Sequence, residues 1–390
     1  MLMEIMSWTA LFLLARDHNG KGVKTMKNSV LNDLYVEGVV CDEVNGALVP
    51  SKFTDVETEY NVFRHGIALV DGVGYAMLKI EGDNVIEEID ALVTKDIRYL
   101  NPGKIAECFF LNENAEALGI SYIVNDDDTI LVLVPPENAE AITAWIKEKL
   151  GDSLNITDMT SDNHLLFIEG EKSWKIAKEV FDFPIETLPL RDMVKVEYSS
   201  NNIMLSRIGR SGEYGYAMIG SHDAIHSIAE HLLNTYSNDN LAWCGTEAMS
   251  VCMLEVNQPL INDTSVKEGN IFELAYQWFV QFDKEDYCGR DVLMSQFEEK
   301  LTKCCVGFVA ENATEIATDS EVYLEDELVG KVIYSKYDPA LNGVLGYLLL
   351  DIKVAVSGIP LTIKANDSSA TAMTVSSPFV RPLSWDSQME

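Results

Sequence analysis

Residues 206–216 read Ser-Arg-Ile-Gly-Arg-Ser-Gly-Glu-Tyr-Gly-Tyr, a glycine-rich stretch that comes directly before an apolar segment. Its three glycines allow the backbone to approach another group closely. Glu213 adds a carboxylate, which suits the N–H donors at the edge of a flat heterocycle. The same residues also fit a tight hairpin with an exposed glutamate. The stretch therefore predicts a loop that leads into a strand, and by itself it leaves the role of that loop open.

Strand–glycine–helix units lie on both sides of this loop. They start at residues 78–82 and 166–170, and a third runs from residue 213 into a helix over 221–233. Alternation predicts a strand at Tyr75–Ile80, with Asp83 capping the next helix. Other segments predict a hairpin of Ile120–Val124 with Thr129–Val134, a helix at Asn138–Leu150 and a strand at His164–Ile168. This order indicates an α+β fold, with helices packed on mainly antiparallel sheets.

The pattern changes after about residue 300. Short alternating segments follow one another, separated by turns, and no helical periodicity lies between them. A series of short strands at this spacing is typical of a small β-barrel. The sequence therefore predicts a C-terminal β-barrel domain.

Length and charge narrow the possible functions. The chain has 390 residues, enough for two or three domains, and a net charge of −33. Such a charge repels phosphate backbones and anionic lipids, so we expect no nucleic acid and no membrane as partners. The apolar run Ala10–Ala15 is too short to cross a membrane and lacks a secretory signal's flanks, so residues 1–25 are interpreted as an extension. Seven cysteines without a CxxC pair predict a reduced, cytoplasmic protein.

The sequence contains no strong motif for a metal site or a catalytic nucleophile. His222 and His226 are four residues apart and could share a helix face, but the glutamate of an HExxH motif and a third ligand are missing. Amphipathic surface positions explain the two histidines better. We therefore predict no metal site.

Ordered matches along the chain resemble the T-protein (aminomethyltransferase) of the glycine cleavage system and its folate-dependent relatives. Residues 206–213, SRIGRSGE, resemble that family's SRTGYTGE segment. Further matches, in the family's order, lie at Glu59–Arg64, Gly66–Asp71, Thr94–Ile97, Leu111–Glu113, Leu254-Glu255, Phe282–Lys284, Gly289-Arg290 and Ser377–Phe379.

The resemblance implies three domains around a central opening, the last of them a β-barrel. The corresponding boundaries are an N-terminal extension at 1–27, a folate-binding region of two interleaved α+β domains at 28–295, the barrel at 296–383 and a tail at 384–390. It also implies tetrahydrofolate as the acceptor of a one-carbon unit and Glu213 as the carboxylate that contacts the pterin. The other candidate folate-binding residues are Arg210, Tyr214, Tyr216 and Tyr122.

Several family positions are altered in this chain. The acidic pair that includes the catalytic aspartate falls on Leu118, Gly119 and Ile120, none of which is a carboxylate, so the catalytic residue is unassigned. Glu107 replaces the tyrosine before the LNE motif, and the asparagine that ends the hairpin falls in Pro135-Pro136. Met249 replaces the folate-binding arginine that would pair with the glutamate tail of the folate. Arg210 is the candidate to replace that cation and to meet the folate glutamate or an anionic donor.

These departures leave more than one function open. The first is transfer of an aminomethyl or methyl group to tetrahydrofolate, outside the standard cleavage system. The second is a catalytically inactive folate-binding or regulatory module, and the third is a folate-linked iron–sulfur repair factor, whose KGCYxGQE cysteine is absent. Basic residues are few around Lys284, Arg290 and Lys303, so a lipoylated carrier protein is a doubtful partner and a small-molecule one-carbon donor is preferred.

Overall fold

The computed structural model describes residues 26–151, 153–259, 269–365 and 368–389. The interpretation of residues 1–25 as an extension therefore falls outside the described residues. The α-helices in the described ranges are α1 Val56–His65, α2 Val85–Asp90, α3 Ala139–Leu150, α4 Ser173–Phe181, α5 His222–Tyr236, α6 Thr246–Glu255 and α7 Arg290–Glu298. None of the described helices is long and apolar enough to cross a membrane.

The strands fall into three sheets and one closed barrel. They are β1 Val40–Val44, β2 Ala47–Lys52, β3 Ile67–Asp71, β4 Ala76–Glu81, β5 Ile105–Leu111, β6 Ala117–Asp126, β7 Thr129–Val134, β8 Asn155–Asp158, β9 Asn163–Glu169, β10 Met193–Tyr198, β11 Asn201–Ser206, β12 Gly215–Ser221, β13 Leu241–Trp243, β14 Lys303–Glu311, β15 Glu321–Leu324, β16 Glu327–Asp338, β17 Gly343–Asp351, β18 Pro360–Ala365 and β19 Ser368–Val375. β1 and β2 form a separate antiparallel hairpin.

A six-stranded sheet forms the first layer, in the order β10-β11-β12-β9-β3-β13. Only the β13–β3 pair among these is parallel. Helices α4 and α5 cover one face of the sheet with apolar residues at helical spacing, including Ile225, Ile228 and Leu232. The side chain of Ser221 accepts the backbone N–H of Ala224 and so fixes the start of α5.

A five-stranded antiparallel sheet forms the second layer, in the order β5-β6-β7-β4-β8. Its outer face packs against α2 and α3. Its inner face packs against the six-stranded sheet, in a core to which both sheets contribute: Tyr75, Tyr122 and Leu133 from one side, Phe167 and Ala217 from the other. The two sheets are therefore stacked face to face.

The C-terminal strands close into a barrel in the order β14-β17-β16-β15-β18-β19. Its interior is filled mainly by aliphatic side chains, among them Val322, Val332 and Leu348. Beyond β19, residues 376–389 run back to the six-stranded sheet and pack on the loop that precedes β12.

These observations confirm the predicted fold class, with helices on antiparallel sheets and a C-terminal β-barrel. One helix differs in detail. Helix α2 begins after Asn84, whose backbone is left-handed with φ of 58°, and no side-chain cap is formed. Asp83 is therefore not the cap that the sequence suggested. The helix also stops at Asp90, whose carboxylate accepts the N–H of Ile97 beyond the turn that follows.

Candidate functional site

A central cavity of about 360 Å³ lies where the two sheets, the β1–β2 hairpin, α6 and the barrel strand β16 meet. This volume lies within the range of small-molecule sites. Apolar side chains make up much of the wall: Val44, Val49, Val70, Tyr75, Pro136, Phe167, Met249, Met253 and Tyr334. The polar lining holds five carboxylates and two cations: Asp42, Asp71, Glu137, Glu169, Glu247, Arg210 and Lys336.

Two aromatic rings stand side by side in this wall. Tyr75 comes from the start of the five-stranded sheet and Phe167 from the six-stranded sheet, with ring centroids 5.5 Å apart and planes at 49°. Burial raises the pKa of the Tyr75 phenol to about 12. The hydroxyl therefore stays protonated at neutral pH and adds a donor to an otherwise apolar surface.

The glycine-rich loop lies against the buried carboxylate of Glu169. The backbone N–H groups of Arg210 and Ser211 donate to Glu169 Oε2 at 3.0 and 2.8 Å. Gly209 is required here, because a Cβ would come within 2.9 Å of both Glu169 Oε2 and the Gly215 Cα. Burial raises the pKa of Glu169, against the opposing effect of these hydrogen bonds.

The loop directs the Arg210 side chain into the cavity. Its guanidinium donates to Glu137 Oε1 at 2.6 Å. Glu137 lies just past the β7 strand, where Pro135 and Pro136 end the hairpin. The pair presents a planar donor beside a half-buried carboxylate, in the middle of the site.

A small pocket adjoins the cavity and shares Arg210, Glu137 and Met253 with it. Its volume is about 10 Å³, and Glu107, Tyr122 and Asn138 complete its wall, together with Ile120, Pro135, Gln258 and Pro259. Glu107 is 4% exposed and accepts a hydrogen bond from Arg191 at 2.6 Å. Tyr122 lies directly opposite Glu107 in the β5–β6 register.

Glu213 lies on the other side of the glycine-rich loop and does not line the cavity. Its Oε1 accepts from Arg64 at 2.8 Å and from the N–H of Leu383 at 3.0 Å. Its Oε2 accepts from the N–H of Ser384 at 2.8 Å. Arg64 also pairs with the buried carboxylate of Glu255.

The two tyrosines after Glu213 also point away from the cavity. The hydroxyl of Tyr214 donates to the carbonyl of Ser387 at 2.6 Å, in the C-terminal segment. Tyr216 is fully buried in the core beneath α4 and α5. The structure thus brings Arg210 and Tyr122 together at the site and places Glu213, Tyr214 and Tyr216 behind it.

The two helical histidines do not converge on one point. His222 Nε2 lies 3.1 Å from the carbonyl of Asn163, whereas His226 Nε2 lies 3.0 Å from Asp33. In the described part of the chain, no group of three or more His, Cys, Asp or Glu side chains is arranged to hold a metal ion.

The family model of the GCVT N-terminal domain matches residues 32–284, nearly two-thirds of the chain. The chain belongs to the GCVT family. The family region covers both stacked sheets and every cavity-lining residue except the two from β16, Tyr334 and Lys336.

Relatives extend this match over nearly the full length. An aminomethyltransferase of Prochlorococcus marinus is 24% identical over 92% of this chain and 99% of its own length. One from Bacillus subtilis is 24% identical over 91% and 99%. The crystal structure of the glycine cleavage system aminomethyltransferase T from Bartonella henselae has a TM-score of 0.82 at 18% identity and covers 92% of this chain and 99% of its own, which shows a shared fold.

In this GCVT-family chain the cavity carboxylates Glu137 and Glu169 were not among the candidates from sequence. Glu169 ends β9 just before Gly170, in one of the strand–glycine–helix units, so a signal existed but did not distinguish Glu169 from the similar Glu81. Glu137 follows two prolines, and no local sequence pattern marks it as a site residue. Only the stacking of the sheets brings both to Arg210.

The altered family positions at Leu118–Ile120 lie on β6, at the small pocket. Gly119 has φ of 148°, and a Cβ there would overlap the side-chain amide of Asn138. Asn138 therefore fills the space that a side chain at position 119 would need.

Proposed function

We propose that this protein is a tetrahydrofolate-dependent one-carbon transferase whose folate binds in the central cavity. Three observations support the proposal: membership of the GCVT family, relatives named aminomethyltransferase, and a cavity of suitable size between the sheets. A reduced pterin needs an apolar slot for its ring and polar partners for one edge. Tyr75, Phe167 and Met249 supply such a slot.

The Arg210–Glu137 pair carries the assignment. The pyrimidinone edge of a pterin presents a carbonyl acceptor followed by two N–H donors. A guanidinium next to a carboxylate offers the complementary order, a donor followed by an acceptor. Among the described residues, Arg210 bonds to Oε1 of Glu137 and no hydrogen bond reaches Oε2, so Oε2 is available for the ligand. This reassigns the pterin carboxylate from Glu213 to Glu137.

For the one-carbon donor we propose a free small molecule. A lipoylated carrier protein would need basic residues on this chain to dock, because the chain carries −33. Lys284 is unsuited to that, since its ammonium is buried and donates to the carbonyls of Asp90, Val93 and Lys95. The seven free cysteines agree with a cytoplasmic setting.

A catalytically inactive folate-binding or regulatory module is the second candidate. The observation in its favour is the β6 strand, where Leu118, Gly119 and Ile120 bring no carboxylate and Asn138 fills the space. Such a module would bind folate in the same cavity and transfer nothing.

Calorimetric titration with tetrahydrofolate under anaerobic conditions tests the binding half of the proposal. We expect Glu137→Gln to weaken binding about tenfold, because a charge-assisted acceptor is worth about 1.5–3 kcal/mol. Glu148→Gln, an exposed glutamate on α3 away from the cavity, is the matched control and should bind as the wild type does. Absence of binding, or equal binding by Glu137→Gln, would contradict the assignment.

A turnover measurement distinguishes the one-carbon transferase from the catalytically inactive module. The wild type is incubated with tetrahydrofolate and methylated sulfonium, ammonium or ether compounds, and 5-methyl-tetrahydrofolate is followed by chromatography. Product above the uncatalysed rate supports the transferase. Tight folate binding with no product from any donor class supports the module.

A further inference from the structure

The small pocket beside Arg210 contains a carboxylate with one oxygen uncommitted. Glu107 Oε2 accepts from Arg191, and no hydrogen bond from the described residues reaches Oε1. The side chain is 4% exposed, so the free oxygen faces the pocket rather than bulk solvent. This oxygen is therefore open to a water or a ligand that enters the pocket.

The pocket links this oxygen to the proposed folate site. Arg210 and Glu137 line both the pocket and the central cavity. The volume of about 10 Å³ is close to what one water molecule needs. One water therefore fits between Glu107 and a ligand held by the Arg210–Glu137 pair.

Strand register explains why Glu107 reaches this place. Glu107 on β5 is paired with Tyr122 on β6, and Ile120, two residues before Tyr122, points to the same face. Glu107 thus lies next to the stretch Leu118–Ile120, where the T-protein resemblance expects an acidic side chain and this chain has none. The neighbouring strand β5 therefore brings a carboxylate to the side of this stretch.

We propose that Glu107 is the proton acceptor for the one-carbon transfer. The proposal rests on the folate site described above. In the transfer, the N5 lone pair of tetrahydrofolate forms a bond to the one-carbon unit, and the bond from that carbon to the donor atom breaks with its electron pair on the donor. N5 is left positively charged, and its proton passes through one water to Glu107 Oε1. Solvent then takes the proton from Glu107.

Several charged or titratable groups face Glu107 from the elements around it. They are Arg191 from the segment before β10, Lys95 from the segment after α2, and Tyr122, Arg210 and Glu137 around the pocket.

Proton uptake on binding is the decisive measurement. The probe is 5-methyl-tetrahydrofolate, whose N5 carries no hydrogen unless it is protonated. Calorimetry at about pH 6 in buffers of different ionisation enthalpy counts the protons taken up. We expect the wild type to take up a substantial fraction of a proton, since ionised Glu107 stabilises protonated N5, and Glu107→Gln to take up none.

Variants separate this role from a structural one. Glu107→Asp should restore part of the uptake, whereas Arg191→Gln should lower stability and retain uptake. At about pH 8, Glu107→Gln should bind the probe within about threefold of the wild type. If tetrahydrofolate binds but the wild type and Glu107→Gln take up equal numbers of protons with the 5-methyl probe, the role of Glu107 is overturned and the folate site stands. Absence of folate binding overturns both.

Discussion

Arg64 Nη1 lies 2.8 Å from Glu213 Oε1, and neither side chain is more than 5% exposed. This pair connects α1 to the glycine-rich loop, and the C-terminal segment closes over it with the N–H groups of Leu383 and Ser384. Glu213, which the sequence suggested as the contact to the pterin, thus binds the C-terminal segment through hydrogen bonds.

Glu213→Gln should lower stability more than it lowers folate affinity. The substitution weakens a buried ion pair and two hydrogen bonds, so we expect the free energy of unfolding to fall by at least about 2 kcal/mol. Urea denaturation measures the loss, and limited proteolysis should show earlier cleavage near residue 383. Folate affinity should stay within about threefold. An unchanged stability with lost affinity would restore Glu213 as the pterin carboxylate.

Stability should decrease as the pH rises from about 4.5 to about 7. Burial raises the pKa of Glu255 to about 7, where Asp338 adds a second buried acid against the single cation Arg64. A carboxyl group with a raised pKa binds more protons folded than unfolded in this window, so its contribution is full below about pH 4.5 and lost through about pH 7. Urea denaturation at several pH values measures the slope, which should flatten in Glu255→Gln. A slope unchanged by that substitution would show that another group titrates.

Gly119→Ala should be more destabilising than Gly358→Ala. Both glycines have positive φ, 148° and 92°, so both substitutions carry backbone strain. A Cβ at position 119 also meets Asn138, whereas nothing lies within 4 Å of one at position 358. We expect the free energy of unfolding to fall by about 1 kcal/mol for Gly358→Ala and by at least about 2 kcal/mol for Gly119→Ala. Thermal or urea unfolding measures both losses. Equal losses would mean that Asn138 moves aside freely.

Arg210→Ala should weaken the binding of monoglutamyl and polyglutamyl folates by the same factor. The sequence offered Arg210 as a cation for the glutamate tail, but its guanidinium is paired with Glu137 at 2.6 Å inside the cavity. A contact to the pterin edge is common to all folates, so calorimetry should show about tenfold losses for both ligands. A larger loss for the polyglutamate would place Arg210 at the tail.

Exchange of an aminomethyl group with a lipoylated carrier should be slow. The chain carries −33, and the basic residue Lys284 is buried under backbone carbonyls. Incubation with aminomethylated carrier and tetrahydrofolate, followed by ammonia release, measures the rate. Turnover near one per second, an ordinary enzyme rate, would contradict the small-molecule donor.

The sequence by itself determined several elements of this fold. Alternation and helical spacing placed the β6–β7 hairpin, α3 and the barrel strands, because these patterns depend on local geometry and on which face is buried. The SRIGRSGE stretch correctly predicted a loop before a strand, since the conformational freedom of its glycines is a local property of the backbone.

Only the tertiary structure decided which side chains form the site. Arg210 and Glu213 are three residues apart, yet the loop turns one into the cavity and the other onto Arg64. Glu107, Glu137 and Glu169 meet at Arg210 from two different sheets, a result of face-to-face packing and strand register over long sequence separations. Which face of a loop is buried depends on what packs against it, and that information is distributed over the whole chain.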